Sequence, residues 1–182
     1  VILKQTTLSF NALVSTLVLV FSSPVFAEQS CIGTTITTPA DDFTATEDDP
    51  EFVTHTSTGL SWARCAVGQS WNNEDGICEG LPVKLNWQDA LKLSSTYELE
   101  DRTDWRVPNI KELASIVERN CVDPAASATI FPNTPSDNFW SSSPNTSANK
   151  KSESWAVSFS NGRLDSRLKS QEYYVRMVRY AE

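Results

Sequence analysis

Four cysteines, Cys31, Cys65, Cys78 and Cys121, constrain this 182-residue chain more than any other feature. An even count in an exported chain reads as two disulfides, for which three connectivities exist. Cys65 and Cys78 bracket a polar stretch, AVGQSWNNEDGI, in which Gly68 and Gly76 supply turns. A bridge closing that short loop is the expected pairing, which leaves Cys31 for Cys121. Loop-closure entropy makes each bridge worth about 3–5 kcal/mol, the longer loop nearer the top. Zinc is disfavoured, because no paired C-x-x-C spacing is present and His55 is the single histidine.

Export itself is expected from the first 27 residues. Lys4 gives a weakly basic start, Ala12–Phe21 is almost wholly apolar, and Val25-Phe26-Ala27 offers the small residues a signal peptidase accepts. Cleavage is placed after Ala27. The apolar run of about 10 residues is too short for a bilayer core, which needs roughly 20. Glu28-Gln29-Ser30 before Cys31 excludes a lipid-attachment box. The expected organisation is a signal peptide over 1–27, an extended N-terminal segment over 28–42 and one domain over 43–182. The mature protein is expected to be soluble, without a membrane span, and periplasmic or extracellular. Its length allows a true core, burying roughly 70% of the unfolded surface. The net charge of −8 argues against nucleic acid and anionic lipid as partners. All of that acidic excess lies before residue 136, and the last third is mildly basic.

Hydrophobic periodicity places helices early and strands late. Phe52–Thr56 and Leu60–Ala63 read as short strands around a Ser57-Thr58-Gly59 turn. Asn86 is expected to cap a helix that presents Trp87, Ala90, Leu91 and Ser94 on one face. Asn109 is expected to cap a second, with Glu112 completing a capping box and Ile110, Leu113, Ala114 and Val117 as its apolar stripe. Phe139-Trp140 begins a strand. Trp155, Val157 and Phe159 alternate with Ala156, Ser158 and Ser160 as a half-buried strand, Asn161-Gly162 is a hairpin signal, and Tyr173–Tyr180 reads as a closing strand. The sum is an α+β domain with a mostly antiparallel sheet.

Six blocks then carry a resemblance: TGLSWARCAVGQSW (58–71), NWQDAL (86–91), DWRVPNIKELASIVE (104–118), IFPNTP (130–135), FWSSSP (139–144) and YYVRMVR (173–179). In this order they resemble the Lcl C-terminal-domain family, named for a bacterial collagen-like adhesin, over about residues 43–180. The resemblance implies a C-type-lectin-like fold: two helices, a mostly antiparallel twisted sheet whose first and last strands pair, and a long irregular region that carries recognition. It also implies a role of the kind associated with that adhesin, binding of sulfated glycosaminoglycans and attachment. The chain has no collagen-like repeat, so avidity from trimerisation is not implied, and the sequence sets no oligomeric state.

Candidate binding residues follow from charge and exposure. Lys150, Lys151, Arg163, Arg167 and Lys169 are the best anion site, since Arg163 and Arg167 share a strand face and Lys169 extends the row. Asp165 lies on that same face and weakens the field. Trp71, among polar neighbours in the Cys65–Cys78 loop, can stack on a sugar or pack over the disulfide. Trp62, Trp105, Trp140 and Trp155 read as core. Val107-Pro108-Asn109 is similar to the Glu-Pro-Asn calcium motif of sugar-binding lectins, but valine stands where the glutamate belongs. The acidic run Glu47–Glu51 and the Asn72–Asp75 cluster read as solvated edges rather than calcium loops. With His55 alone and no free thiol or placed carboxylate pair, no catalysis and no cofactor are expected. The expected function is a non-catalytic recognition or adhesion module binding a glycan, anionic ones included, or an envelope or host surface protein. The alternatives are a structural part of an envelope assembly and, third, an enzyme of the sulfatase-modifying type, which needs reactive cysteines.

Overall fold

A computed structural model describes residues 28–46 and 48–181. The expected leader over 1–27, and Glu47 of the acidic run, lie outside the described residues. In chain order the elements are β1 (Ser30–Cys31), β2 (Phe43–Thr44), β3 (Phe52–His55), β4 (Leu60–Ala63), β5 (Ser70–Asn72), β6 (Ile77–Glu79), β7 (Leu85–Asn86), α1 (Trp87–Leu93) and α2 (Ile110–Ser115). There follow β8 (Cys121–Val122), β9 (Asn138–Pro144), β10 (Glu153–Ser158), β11 (Arg163–Leu168), β12 (Glu172–Tyr173) and β13 (Val178–Tyr180). The strands form a four-stranded sheet in the order β13-β4-β3-β2, a three-stranded sheet β11-β10-β9, and the pairs β1-β8, β12-β7 and β5-β6. Every one of these pairings is antiparallel, so the domain is α+β as the sequence indicates.

Both helices start where their caps place them. The Asn86 side chain accepts from Asp89 N, and Asn109 with Glu112 forms the full capping box. The second helix is shorter than its apolar stripe suggests. It ends at Ser115, and Ile116, off the expected stripe, leaves the helical conformation and becomes fully buried. Val117 instead bridges to Ala126, because the chain must turn there to reach Cys121.

The expected closing strand is divided. Glu172–Tyr173 pairs with β7 and Val178–Tyr180 with β4. Between them the chain passes through the core, where Val175, Arg176 and Met177 are all buried. The backbone groups of this crossing are satisfied by Val67 N donating to Val175 O at 2.9 Å and Ala63 N donating to Met177 O at 3.1 Å. The last strand pairs with β4, the second strand of the first hairpin, and β4 is buried along its whole length.

Trp62, Trp105 and Trp140 are at most 2% exposed, and each fully buried large side chain contributes roughly 1.5–3 kcal/mol. Trp155 is a correction: it is only half-buried, with Ser166 of the edge strand β11 opposite it. The β10–β11 turn differs as well. Ser158 pairs with Arg163, so the connection has four residues, and Phe159 turns into the core, donating its N–H to Asp137 O at 2.8 Å. Gly162 is required there twice over, by its φ of +72° and by Val117 Cγ1, which would lie 2.8 Å from an added Cβ.

Two buried charges hold the irregular regions to this frame. The Arg176 guanidinium, 1% exposed, donates from Nη1 to Ala63 O at 2.9 Å and to Arg64 O, and from Nη2 to Thr134 Oγ1 at 2.8 Å. It also lies over Phe131, 4.6 Å from the ring centre. No described carboxylate pairs with it, and burial lowers its pKa to about 9. Glu118, 2% exposed, receives Thr37 N, Thr37 Oγ1 and Thr38 N at 2.8 Å each and Asn120 N at 3.1 Å. With the Cys31–Cys121 disulfide it straps the N-terminal segment onto the end of α2. Cys65 and Cys78 form the second bridge, so both expected pairings are present.

Two outcomes follow. Arg176→Met should lower stability by about 2–4 kcal/mol, since it removes the donor to two carbonyls at roughly 1–3 kcal/mol each and a bond to Thr134 Oγ1, offset by relief of the buried charge. Denaturant unfolding reads this, and an unchanged midpoint would contradict the assigned role. Burial pushes the Glu118 carboxyl up, but the hydrogen bonds from Asn120, Thr37 and Thr38 outweigh it and hold the pKa below its ordinary value. The carboxylate therefore stabilises the fold above the unfolded pKa of about 4.3. That contribution is lost as pH falls through the lower folded-state value. Glu118→Gln should cost about 1.5–3 kcal/mol at neutral pH and flatten the acid limb of a melting-temperature profile.

Candidate functional site

The five basic side chains singled out by the sequence are not gathered into one patch. On β11, Arg163, Asp165 and Arg167 share a face, opposite Ser158, Ala156 and Ser154 of β10. Arg163 and Arg167 stand roughly 13 Å apart by strand rise, and Arg167 donates to Asp165 at 3.2 Å. Lys150 reaches the other face, meeting Glu153 Oε2 at 3.3 Å and Ser166 Oγ at 3.4 Å. Lys169 donates to Lys151 O at 2.9 Å and lies 4.5 Å over the ring of Trp87. The side chains of Lys151 and Arg163 are exposed. Compensation by near acids, foreseen at Asp165, therefore also operates at Glu153.

Trp71 is better placed. The Cys65–Cys78 loop folds as the hairpin β5–β6, with Trp71 directly opposite Cys78. The Arg64 guanidinium covers its ring at 4.5 Å from the centroid, and Nε1 donates to Asn73 Oδ1 at 3.4 Å. Arg64 is half-buried, and the desolvation lowers its pKa. Among the described residues its guanidinium has no hydrogen-bond or ion-pair partner, and its Nε is buried without an acceptor. The nearby Asp49 is engaged by Arg102 through two contacts of 2.9 and 3.0 Å. Arg64 and Trp71 face an open cleft whose other walls are Ala45, Thr46, Pro50 and Asn73.

Arg64 was not singled out by sequence reasoning. Its one signal is position: it immediately precedes Cys65, so closing the loop returns the hairpin to its side chain.

The remaining polar clusters are internally satisfied. His55 stacks on Phe43 at 4.6 Å and meets Thr58 Oγ1 at 2.9 Å and Ser57 Oγ at 3.1 Å. Burial lowers its pKa against the opposing pull of Asp42. Asn72 Oδ1 accepts from Glu74 N and Asp75 N, closing the hairpin tip. Among the described residues, no group of three or more His, Cys, Asp or Glu is placed to hold a metal ion, and no helix is long and apolar enough to cross a membrane.

No curated protein matches the chain. The family model of the Lcl C-terminal domain matches residues 51–179. That span runs from just before β3 into β13 and includes Arg64, the Cys65–Cys78 hairpin with Trp71, and the five basic side chains. The chain belongs to the Lcl C-terminal domain family.

Proposed function

We propose that the protein is a non-catalytic, exported recognition module of C-type-lectin-like fold that binds short anionic glycans at the bacterial envelope or extracellular surface. The observation that carries this reading is the Arg64 guanidinium, held on Trp71 and lacking any acid partner among the described residues of a chain with net charge −8. A guanidinium stacked on an indole keeps its N–H donors in a fixed plane, the geometry that carboxylates and sulfates engage with two parallel hydrogen bonds. The acidic surroundings oppose long polyanions through repulsion at a distance, so the fitting ligand is a short acidic saccharide.

All four cysteines are in disulfides. That supports recognition over an enzyme of the sulfatase-modifying type, whose chemistry needs free thiols. The alternative of a structural part in an envelope assembly is favoured by one feature. Leu164 and Leu168, 41% and 48% exposed, lie on the edge strand β11 beside half-buried Trp155, an apolar strip of the kind a partner covers.

On a glycan array the mature protein should retain uronate- or sulfate-bearing oligosaccharides. Trp71→Ala and Arg64→Gln should each weaken the best ligand about tenfold or more in titration calorimetry, about 1.4 kcal/mol, without lowering the melting temperature. Arg163→Gln should leave binding intact. No retention of any acidic glycan, or full affinity in both variants, would overturn the reading.

A further inference from the structure

Strand β11 ends one side of its sheet, and among the described residues no strand pairs with its outer edge. We propose that this edge is the interface for a second copy of the chain, which pairs β11 with β11 antiparallel and joins the two sheets into one.

The ladder fixes which backbone groups the edge offers. Lys169 N donates to Ser152 O at 2.9 Å, in register with Arg167 opposite Ser154 and Arg163 opposite Ser158. Hydrogen-bonded and non-bonded pairs alternate along an antiparallel ladder, so Arg163, Asp165 and Arg167 bond inward to β10. The N–H and C=O groups of Leu164, Ser166 and Leu168 therefore aim outward. Of these, Leu168 O alone has a partner among the described residues, Gln171 N at 2.9 Å. Such a row is a template for another strand.

The side chains decide which strand fits. With Ser166 opposite Ser166 across a two-fold axis, Ser166 N–H donates to Ser166 O of the copy and Leu168 N–H to Leu164 O of the copy, each twice by symmetry. On one face Leu164 then meets Leu168 of the copy; both leucines are exposed in the single chain, beside half-buried Trp155. On the other face Asp165 meets Arg167 of the copy, and Arg167 its Asp165. Their side chains are 46% and 37% exposed, and within one chain they share a single contact of 3.2 Å. Sliding the copy by two residues either way, the least that keeps the same groups facing, sets Asp165 against Asp165 or Arg167 against Arg167. Opposite charges facing across strands stabilise and like charges destabilise, so the order of charges selects one register. Arg163 and Lys169 face each other at the ends of this pairing, but Lys169 is drawn aside, onto Lys151 O and the Trp87 ring. A strand of unrelated sequence would leave the charges of β11 unmatched, which favours a second copy over another partner.

The pairing does not depend on the ligand of the Arg64–Trp71 cleft, and its test needs none. Sedimentation equilibrium of the mature protein would be run in about 0.15 M salt, where repulsion between two acidic chains is screened beyond roughly 8 Å. A series from micromolar to millimolar protein should show a monomer–dimer equilibrium. Asp165→Arg and Arg167→Asp should each weaken the dimer roughly tenfold or more, since each turns two attractive pairs into two repulsive ones. An equimolar mixture of these two variants should recover the dimer as a heterodimer, and so should the double variant by itself. Leu168→Pro removes an N–H that bonds nothing within the described chain, so the melting temperature should hold while the dimer is lost. A monomer at every concentration, a dimer indifferent to the single variants, or a loss that the mixture does not restore would overturn the inference.

Discussion

The Arg176 guanidinium sits where three parts of the chain meet: the end of β4, the loop before β9 and the crossing between β12 and β13. A cation in such a place pays a desolvation cost, visible in a pKa pulled down to about 9. Carbonyl oxygens of Ala63 and Arg64, the Thr134 hydroxyl and the ring of Phe131 offset that cost. Hydrogen bonds from a charged donor are worth roughly 1.5–3 kcal/mol each, and a desolvated cation–π contact about 2 kcal/mol. Lysine, a point charge without a planar fork, could not serve both the β4 carbonyls and Thr134 in this geometry.

The N-terminal segment is tied down by a different means. It has little regular structure, only the two residue pairs of β1 with β8 and a short 3-10 helix over Ala40–Asp42, so its order comes from a disulfide and from side chains that act on backbone. Glu118 collects the amides of Thr37 and Thr38, Gln29 donates to Pro124 and Ala126 carbonyls, and Asn120 Nδ2 donates to Thr35 O at 2.6 Å. Irregular backbone close to a core must place its polar groups somewhere, and here most partners lie about 80 to 97 residues away. A recognition surface built on loops needs such long-range ties to keep its shape.

Local signals made much of the frame legible. Asn86 and Asn109 start helices because a side-chain oxygen satisfies free N–H groups, a rule confined to a few residues of sequence, and the cysteine spacing favoured the pairing that is found. What escaped was decided by tertiary contact. Trp155 alternates like a core residue, but only the sheet order shows that its neighbour strand is an edge. YYVRMVR reads as one strand, but Arg176 is buried with no acid beside it, a placement that no periodicity announces. The basic row from Lys150 to Lys169 was legible as residues and not as a surface, since Lys150 reaches from the loop before β10 to one face of the sheet while Arg167 lies on the other. Arg64 was hidden because a lone arginine next to a cysteine reads as an ordinary solvated charge.

The central claim is that buried Arg176 makes the loop before β9 part of the same cooperative unit as the β4 sheet. Native-state hydrogen exchange tests it most directly, through the amides of Ala63, Val67 and Phe131, each hydrogen-bonded in the structure. If the claim holds, all three should exchange through one opening, with the same free energy and the same denaturant dependence as amides in the centre of β10. A Phe131 amide that exchanges orders of magnitude faster and without denaturant dependence would show that the loop opens on its own, and would contradict the account.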